Sequence, residues 1–524
     1  MRRPLPLLAV VGVLAVGTCS AAANPPNIPV TAAAADLAGG SLAVDPTDPS
    51  RLAVAYSTGR AAATGSCVVA RSRDGGRTWE SQVVAGSPAR PLPTGATHCA
   101  DAVVAFGPDG TAYVAYDVSR LGGPGQVYAA SSTDHGTTFR SPVALATAQA
   151  AGGGDFEPAI AAGPSRGTVS VAFERYSGDF DSAAVLAASS HDGGRSFAAP
   201  VEVSPAGQNA VNGRAATAAD RGGKLYVGWV DAGDVDFDGA GDARIEVAVS
   251  GDGGRSFRAP ATVATVPSGC GPNDDCGNRF PQIALAAGAG GVAHLAWSSA
   301  PYPDAARISF ARSLDSGRRW SAPRRLPVPA GRADHDQLAP SLAVARDGRV
   351  DLGFGDQARD ADDGLLDVYL AYSIDGARTF STATRLDAIP SNTRRMAFTP
   401  SIAVAASDGA AHAAWQDARA DAQTATGVLF ARVPDAHAPR LPIVDGPRLL
   451  GSGRVTYSLR SSDDFTPRGA LRFRCAFDGA PLHACGMRYT QALKPGRHVF
   501  RVRALDAAGN PSAVRSVPVL VGRR

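Results

Sequence analysis

Lysine is nearly missing from this chain. Lys224 and Lys494 stand alone, so arginine carries almost all of the 51 basic positions. The codon bias of a GC-rich bacterial genome accounts for that and carries no mechanistic content. Glutamate is also scarce, at Glu80, Glu157, Glu174, Glu202 and Glu246, and aromatic residues make up 6%. No long amphipathic helical run is present, which argues against helical bundles and coiled coils. There is no CxxC pair and no HExxH, so a zinc site is not expected. A phosphate-cradling loop and a Ser/His/Asp nucleophile motif are lacking too. The formal charge is only +3 and includes Arg2 and Arg3 of a leader-like segment. The overall balance therefore gives no reason to expect a nucleic acid or an anionic membrane as partner.

What is abundant is glycine, at 59, and proline, at 38, with 44% apolar and 19% charged residues. This is a globular profile of many short strands joined by turns. At 524 residues the chain is too long for one ordinary core unless the architecture is a repeat or a barrel. Its start, two arginines followed by an apolar run from Leu5 to Val16 and small residues through Ala23, reads as a secretory signal over 1–23, too short to span a membrane. Cys19 offers an alternative, the lipidated first residue of a bacterial lipoprotein. Setting Cys19 aside, six cysteines fall into local couples, Cys67 with Cys99, Cys270 with Cys276 and Cys475 with Cys485, and predict three disulfides in an exported protein. A secreted or cell-surface location is expected, and a monomer.

One nine-residue pattern organises most of the chain. RSRDGGRTW (71–79) returns as SSTDHGTTF, SSHDGGRSF, VSGDGGRSF, RSLDSGRRW and YSIDGARTF. The shared aspartates are Asp74, Asp134, Asp192, Asp252, Asp315 and Asp375, spaced 60, 58, 60, 63 and 60 residues apart. Such a period marks one supersecondary unit used repeatedly, each burying its apolar face on its neighbours. Upstream of each pattern lies a hairpin such as PQIALAAGAGGVAHLAW; next to it lie a third alternating strand and, after the turn, a short fourth. Four strands in about 60 residues predict a propeller blade. The opening hairpins number seven, and the last unit stops after GVLFARV without a fourth strand. The segment 27–34 is placed to supply that strand. The expected fold is all-β: a seven-bladed propeller over 27–435, with six blades as the alternative.

These repeats resemble the Asp box, or BNR repeat, of the sialidase superfamily, over residues 38 to 435. The resemblance implies a turn between the third and fourth strands of a blade, its Asp accepting turn N–H groups and its aromatic ring packing on its own sheet. Six equivalent copies cannot share one axial site, so chemistry is expected on the other rim. The motif occurs in non-catalytic propellers and other glycosidases as well as in sialidases. Sialidase activity would require three arginines holding a substrate carboxylate, a tyrosine nucleophile beside a glutamate, and an aspartate as acid/base. Arg214, Arg279 and Arg395 precede first strands and are the candidate clamp. Glu157, Glu174 and Tyr176 fall together in the third blade, and Tyr302 in the fifth is a further tyrosine. The FRIP-type motif is absent, and blade one has no arginine at the corresponding strand. A candidate exo-α-sialidase acting on sialylated or related glycans is the first expectation. A non-catalytic propeller binding glycan or protein at the cell surface is the second.

DVDFDG resembles the front half of a calcium loop, with Asp234, Asp236, Asp238 and Asp242 as candidate ligands for a structural Ca2+. The bidentate glutamate of the full motif would fall at Ile245. After residue 435 the repeat ends. Short alternating strands over 440–524, closing on DAAGN, resemble a bacterial immunoglobulin-like or fibronectin-like β-sandwich, expected to act as a spacer or an adhesive, sugar-binding module.

Overall fold

The computed structural model describes residues 24–31, 37–59, 64–120, 123–146, 153–179, 182–210, 215–233, 242–267, 281–299, 305–326, 335–360, 364–393, 401–418, 427–451 and 453–522. Strands dominate throughout. The helical elements among these residues are three-residue turns such as Ala289–Gly291, and none is long and apolar enough to cross a membrane. The expected leader (1–23) with Cys19, the Cys270–Cys276 couple, and Tyr302 lie outside the described residues.

Seven antiparallel units of four strands follow one another among the described residues, the sixth with an added two-residue strand, Ser391–Asn392. Their first strands are Leu37–Val44, His98–Phe106, Gly154–Ala162, Ala216–Ala219, Gln282–Ala287, Gln337–Val344 and Ile402–Ser407. Each first strand packs beside the next, and the seventh packs against the first. This is a closed ring of blades. The seventh blade takes its outer strand from the N-terminal side: Ile28–Pro29 pairs with Phe430 and Leu429. A strand borrowed from the opposite end of the propeller completes the seventh blade and fastens the ring.

Side chains lace the inner strands together. Gln282 accepts the Ala339 N–H at 2.6 Å, Ser341 that of Val404 at 2.9 Å, and Ser41 that of Val104 at 2.7 Å. Ser401 donates to the Gly40 carbonyl across the closing seam at 3.3 Å. Cys67 and Cys99 form a disulfide between the third strand of blade one and the first of blade two.

Residues 443–521 form two further sheets that share one core, with Tyr457 and Leu459 of one facing Phe473, Phe500 and Val502 of the other. Cys475–Cys485 ties a hairpin in the larger sheet. This sandwich docks on the propeller at blades six and seven. Phe465 packs against Tyr372 with the rings tilted by 58° and their centroids 4.7 Å apart, and lies under the Arg349 guanidinium at 4.2 Å. Arg349 is fully buried and forms a two-pronged bridge to Asp351 at 2.7 and 2.9 Å. The same Nη2 that meets Asp351 also points to the carbonyls of Ser407 and Ala410 in blade seven.

Candidate functional site

The six repeated turns share one wiring scheme. Ser72 donates to Asp74 Oδ1 at 2.8 Å and accepts the Gly76 N–H at 2.9 Å. Asp74 also accepts the N–H groups of Arg77 and Thr78 and the Thr78 hydroxyl. Asp134, Asp192, Asp252, Asp315 and Asp375 repeat the serine bond with Ser132, Ser190, Ser250, Ser313 and Ser373, and all but Asp315 also repeat the second hydroxyl bond. Desolvation pushes the Asp74 carboxyl up, but the Thr78 and Ser72 bonds and the turn N–H groups outweigh it and hold the pKa at about 2. In Asp192 and Asp252 the serine hydroxyls of residues 196 and 256 lead the downward shift. These carboxylates are saturated by their own turns.

The aromatic residue of each turn reaches further than its own sheet. Trp79 lies edge-on to Phe430 of blade seven, with centroids 5.2 Å apart, while also covering blade one. Phe380 of blade six meets Phe310 of blade five at 5.2 Å in the same way. The turn therefore rivets neighbouring blades. Gly76, at φ +89°, shows why glycine is needed: a Cβ there would lie 2.0 Å from the Phe430 ring.

The opposite rim is built differently. Its acids are buried against cations. Asp155, 3% exposed, holds Arg175 through two bonds of 2.7 and 2.8 Å. In blade four, buried Asp231 holds Arg244 at 2.6 Å, and Thr262 donates to Glu246 at 2.8 Å. Burial raises the Glu246 carboxyl above its ordinary value. In blade six the fully buried His335 contacts Asp356 and Arg307, each at 3.2 Å. Asp367, contacted by Arg385 at 2.9 Å and Arg359 at 3.3 Å, is nevertheless pushed up to about 6 by burial and by neighbouring Asp387.

Of the residues expected from sequence to form a site, two are brought together. Tyr176 donates its hydroxyl to Glu174 Oε2 at 2.9 Å, and Glu174 is fully buried. Positions 174 and 176 share one face of the strand Val169–Tyr176, and Phe156 on the neighbouring strand packs edge-on against the Tyr176 ring at 5.8 Å. Glu157 sits next to Phe156 in a β-bulge between Phe156 and Ala159, at φ +53°. Arg214, Arg279, Arg395, Asp234, Asp236 and Asp238 lie outside the described residues. Asp242 is described, exposed at the start of a blade-four strand.

Sequence reasoning missed Asp101. It occupies the bulge of blade two, between Ala100 and Val103, at φ +47°. Blade six repeats the bulge between Leu338 and Ser341, where Ala339 has φ +51°. A left-handed backbone at a non-glycine residue is strained, and bulges re-aim side chains at functional rims. Alignment of the first strands across blades was the signal available, since Asp101 and Glu157 are register equivalents. On the turn side, at the sandwich junction, Asp435, Asp463 and Asp464 gather carboxylate oxygens within 4.8 Å of one another.

No protein-family model and no curated protein matches the chain in sequence. Among solved structures it is similar to the Hadza microbial sialidase Hz136, at 14% identity and a TM-score of 0.42 over 74% of each chain. It is similar to the Penicillium chrysogenum α-L-arabinanase complexed with arabinobiose, at 12% identity and 0.41 over 78% of this chain and 98% of the other. A third likeness is to the Trypanosoma rangeli sialidase in complex with the inhibitor DANA, at 10% identity and 0.41 over 79% and 84%.

Proposed function

We propose that the chain is an exported glycoside hydrolase of the propeller type, acting on sialylated or related acidic glycans from the rim opposite the repeated turns. The observation that carries this reading is the Tyr176–Glu174 hydrogen bond at 2.9 Å. A phenol becomes a usable nucleophile when a carboxylate accepts its proton. In the proposed reaction the Tyr176 oxygen attacks the anomeric carbon while its proton passes to Glu174. The bond to the leaving oxygen breaks as an acid protonates that oxygen, and water then hydrolyses the tyrosyl intermediate. Asp101 and Glu157, turned by equivalent bulges on adjacent first strands, supply the acid/base group and a second carboxylate. Arg214, Arg279 and Arg395 are retained as the proposed substrate clamp, and a structural Ca2+ is proposed for the loop ending at Asp242. The disulfides at Cys67–Cys99 and Cys475–Cys485 support export.

The test is hydrolysis of a fluorogenic sialoside by the purified protein. Turnover that falls at least 100-fold in Y176F and in E174Q, with unchanged melting temperature, is expected. No turnover by the folded parent protein would overturn the reading.

A second reading, a glycan-binding propeller without catalysis, is favoured by a separate observation. On this rim Arg175, Arg244, Arg359 and Arg385 are each paired with an acid, so their charge is already matched. Binding of a sialylated glycan without turnover would select it.

A further inference from the structure

The near-neutral charge of the whole chain hides a strong asymmetry. Residues 440–524 contain fifteen Arg and Lys against five Asp, a formal +10 within a total of +3, so the rest of the chain is −7. Five of the fifteen share one sheet face of the C-terminal sandwich. In Arg472–Phe477 and Gly496–Leu505, the residues Phe473, Cys475, Phe500, Val502 and Ala504 point into the core. Their alternates therefore point outward: Arg472 and Arg474 on one strand, Arg497, Arg501 and Arg503 on the next. Arg474 and Arg503 lie directly opposite each other in register. Like charges in that position repel, and the fold gains nothing from them.

Among the described residues, none of these five arginines forms an ion pair. Their hydrogen bonds go to backbone carbonyls: Arg472 to Asp506 at 3.5 Å and Arg501 to Ala480 at 2.5 Å. The Nε atoms of Arg501 and Arg503 are shielded from water and have no acceptor. The nearby acids are occupied elsewhere, Asp478 by His498 and Asp506 by Asn510. On the opposite sheet, by contrast, Arg460 has Asp445 at 2.5 Å.

We propose that this arginine face docks a linear acidic polysaccharide bearing carboxylate or sulfate groups. Outward residues recur about every 6.8 Å along a strand, so the five guanidinium groups form a band roughly 27 Å long. A polymer with regularly spaced anions matches such a band, and each planar fork can take a carboxylate or sulfate through two bonds. The face presents Val499, Pro518 and Leu520 between the arginines but no aromatic ring, so it lacks the stacking platform that single-stranded nucleic acids use. It is also a flat sheet, without the protruding helix or ribbon that enters a duplex groove. The proposal concerns the sandwich alone and does not depend on the rim chemistry.

The test measures binding of the full chain to heparin and to polygalacturonate over a salt series. Both polymers are expected to bind, more weakly as salt rises. The triple substitution R474S/R501S/R503S is expected to lower affinity at least tenfold and to flatten the salt dependence. R454S/R488S, on the other sheet, should change it less than twofold. R474E places opposite charges across the Arg503 pair, so it should weaken binding while the melting temperature holds or rises, which a purely structural arginine would not allow. It carries the test if the triple variant does not fold. Equal binding by the parent and both Arg474 variants would overturn the proposal. So would tighter binding, at equal charge concentration, to duplex DNA or to phosphatidylglycerol vesicles, with loss in the same variants.

Discussion

The two rims of the propeller hold their carboxylates by different means. On the turn rim each carboxylate collects hydroxyl and N–H donors within a few residues of itself, and its pKa falls. On the other rim the acids are taken out of water and matched by cations that approach from other strands, and Asp367 and Glu246 rise. Local donors make an acid a reliable structural part. Burial against a distant partner leaves it sensitive to its surroundings, which is the condition for chemistry. The sandwich docks on the turn side, beside Tyr372 and the loop at Arg349, and not on the other rim.

The largest effect expected on the turn side comes from R349A. It leaves the fully buried Asp351 without its partner and removes the bridge to blade seven and Phe465, which should cost about 3–5 kcal/mol in denaturant unfolding. A loss below 1 kcal/mol would mean that the sandwich junction contributes little. Next comes D252A, which strips the acceptor from two hydroxyls and two N–H groups and should cost about 2 kcal/mol. D315A should cost less, because Arg319 stands where the other turns place a hydroxyl and offers only its N–H. Equal losses in the two variants would refute the donor-counting explanation.

Acid titration separates the rims more gently. The turn aspartates have folded pKa values below their unfolded ones, so their contribution is complete above about pH 4 and is lost as pH falls towards about 2. Buried His294 and His412, pushed down to about 4 and about 3 by burial, lose their contribution as pH falls below about 6.5. Asp367 runs the other way: its folded pKa is raised, so its contribution is complete below about 4 and declines as pH rises through about 6. The smallest expected effect is that of D367N, which removes this opposing contribution and so lowers the stability at pH 4.5 relative to that at pH 7 when compared with the parent, read from urea midpoints. An unchanged difference would show that Arg385 and Arg359 already neutralise it.

The sequence by itself determined the repeat, the turn chemistry and the closing strand. Each of these is written within a few consecutive residues or at a fixed period: Ser72, Asp74 and Thr78 satisfy one another locally, and a blade with three strands must find a fourth. It also brought Glu174 and Tyr176 together, because alternate residues of a strand share a face. Tertiary structure decided what depends on distant partners. It carried Trp79 across to Phe430, since packing between blades has no local signal. It bulged the first strands so that Asp101 joined Glu157 in a strained position, and it spent the rim arginines on buried acids. It also gathered five arginines, spread over some thirty residues and diluted in the charge of the whole chain, onto one face of the sandwich, because only strand register determines which side chains become neighbours.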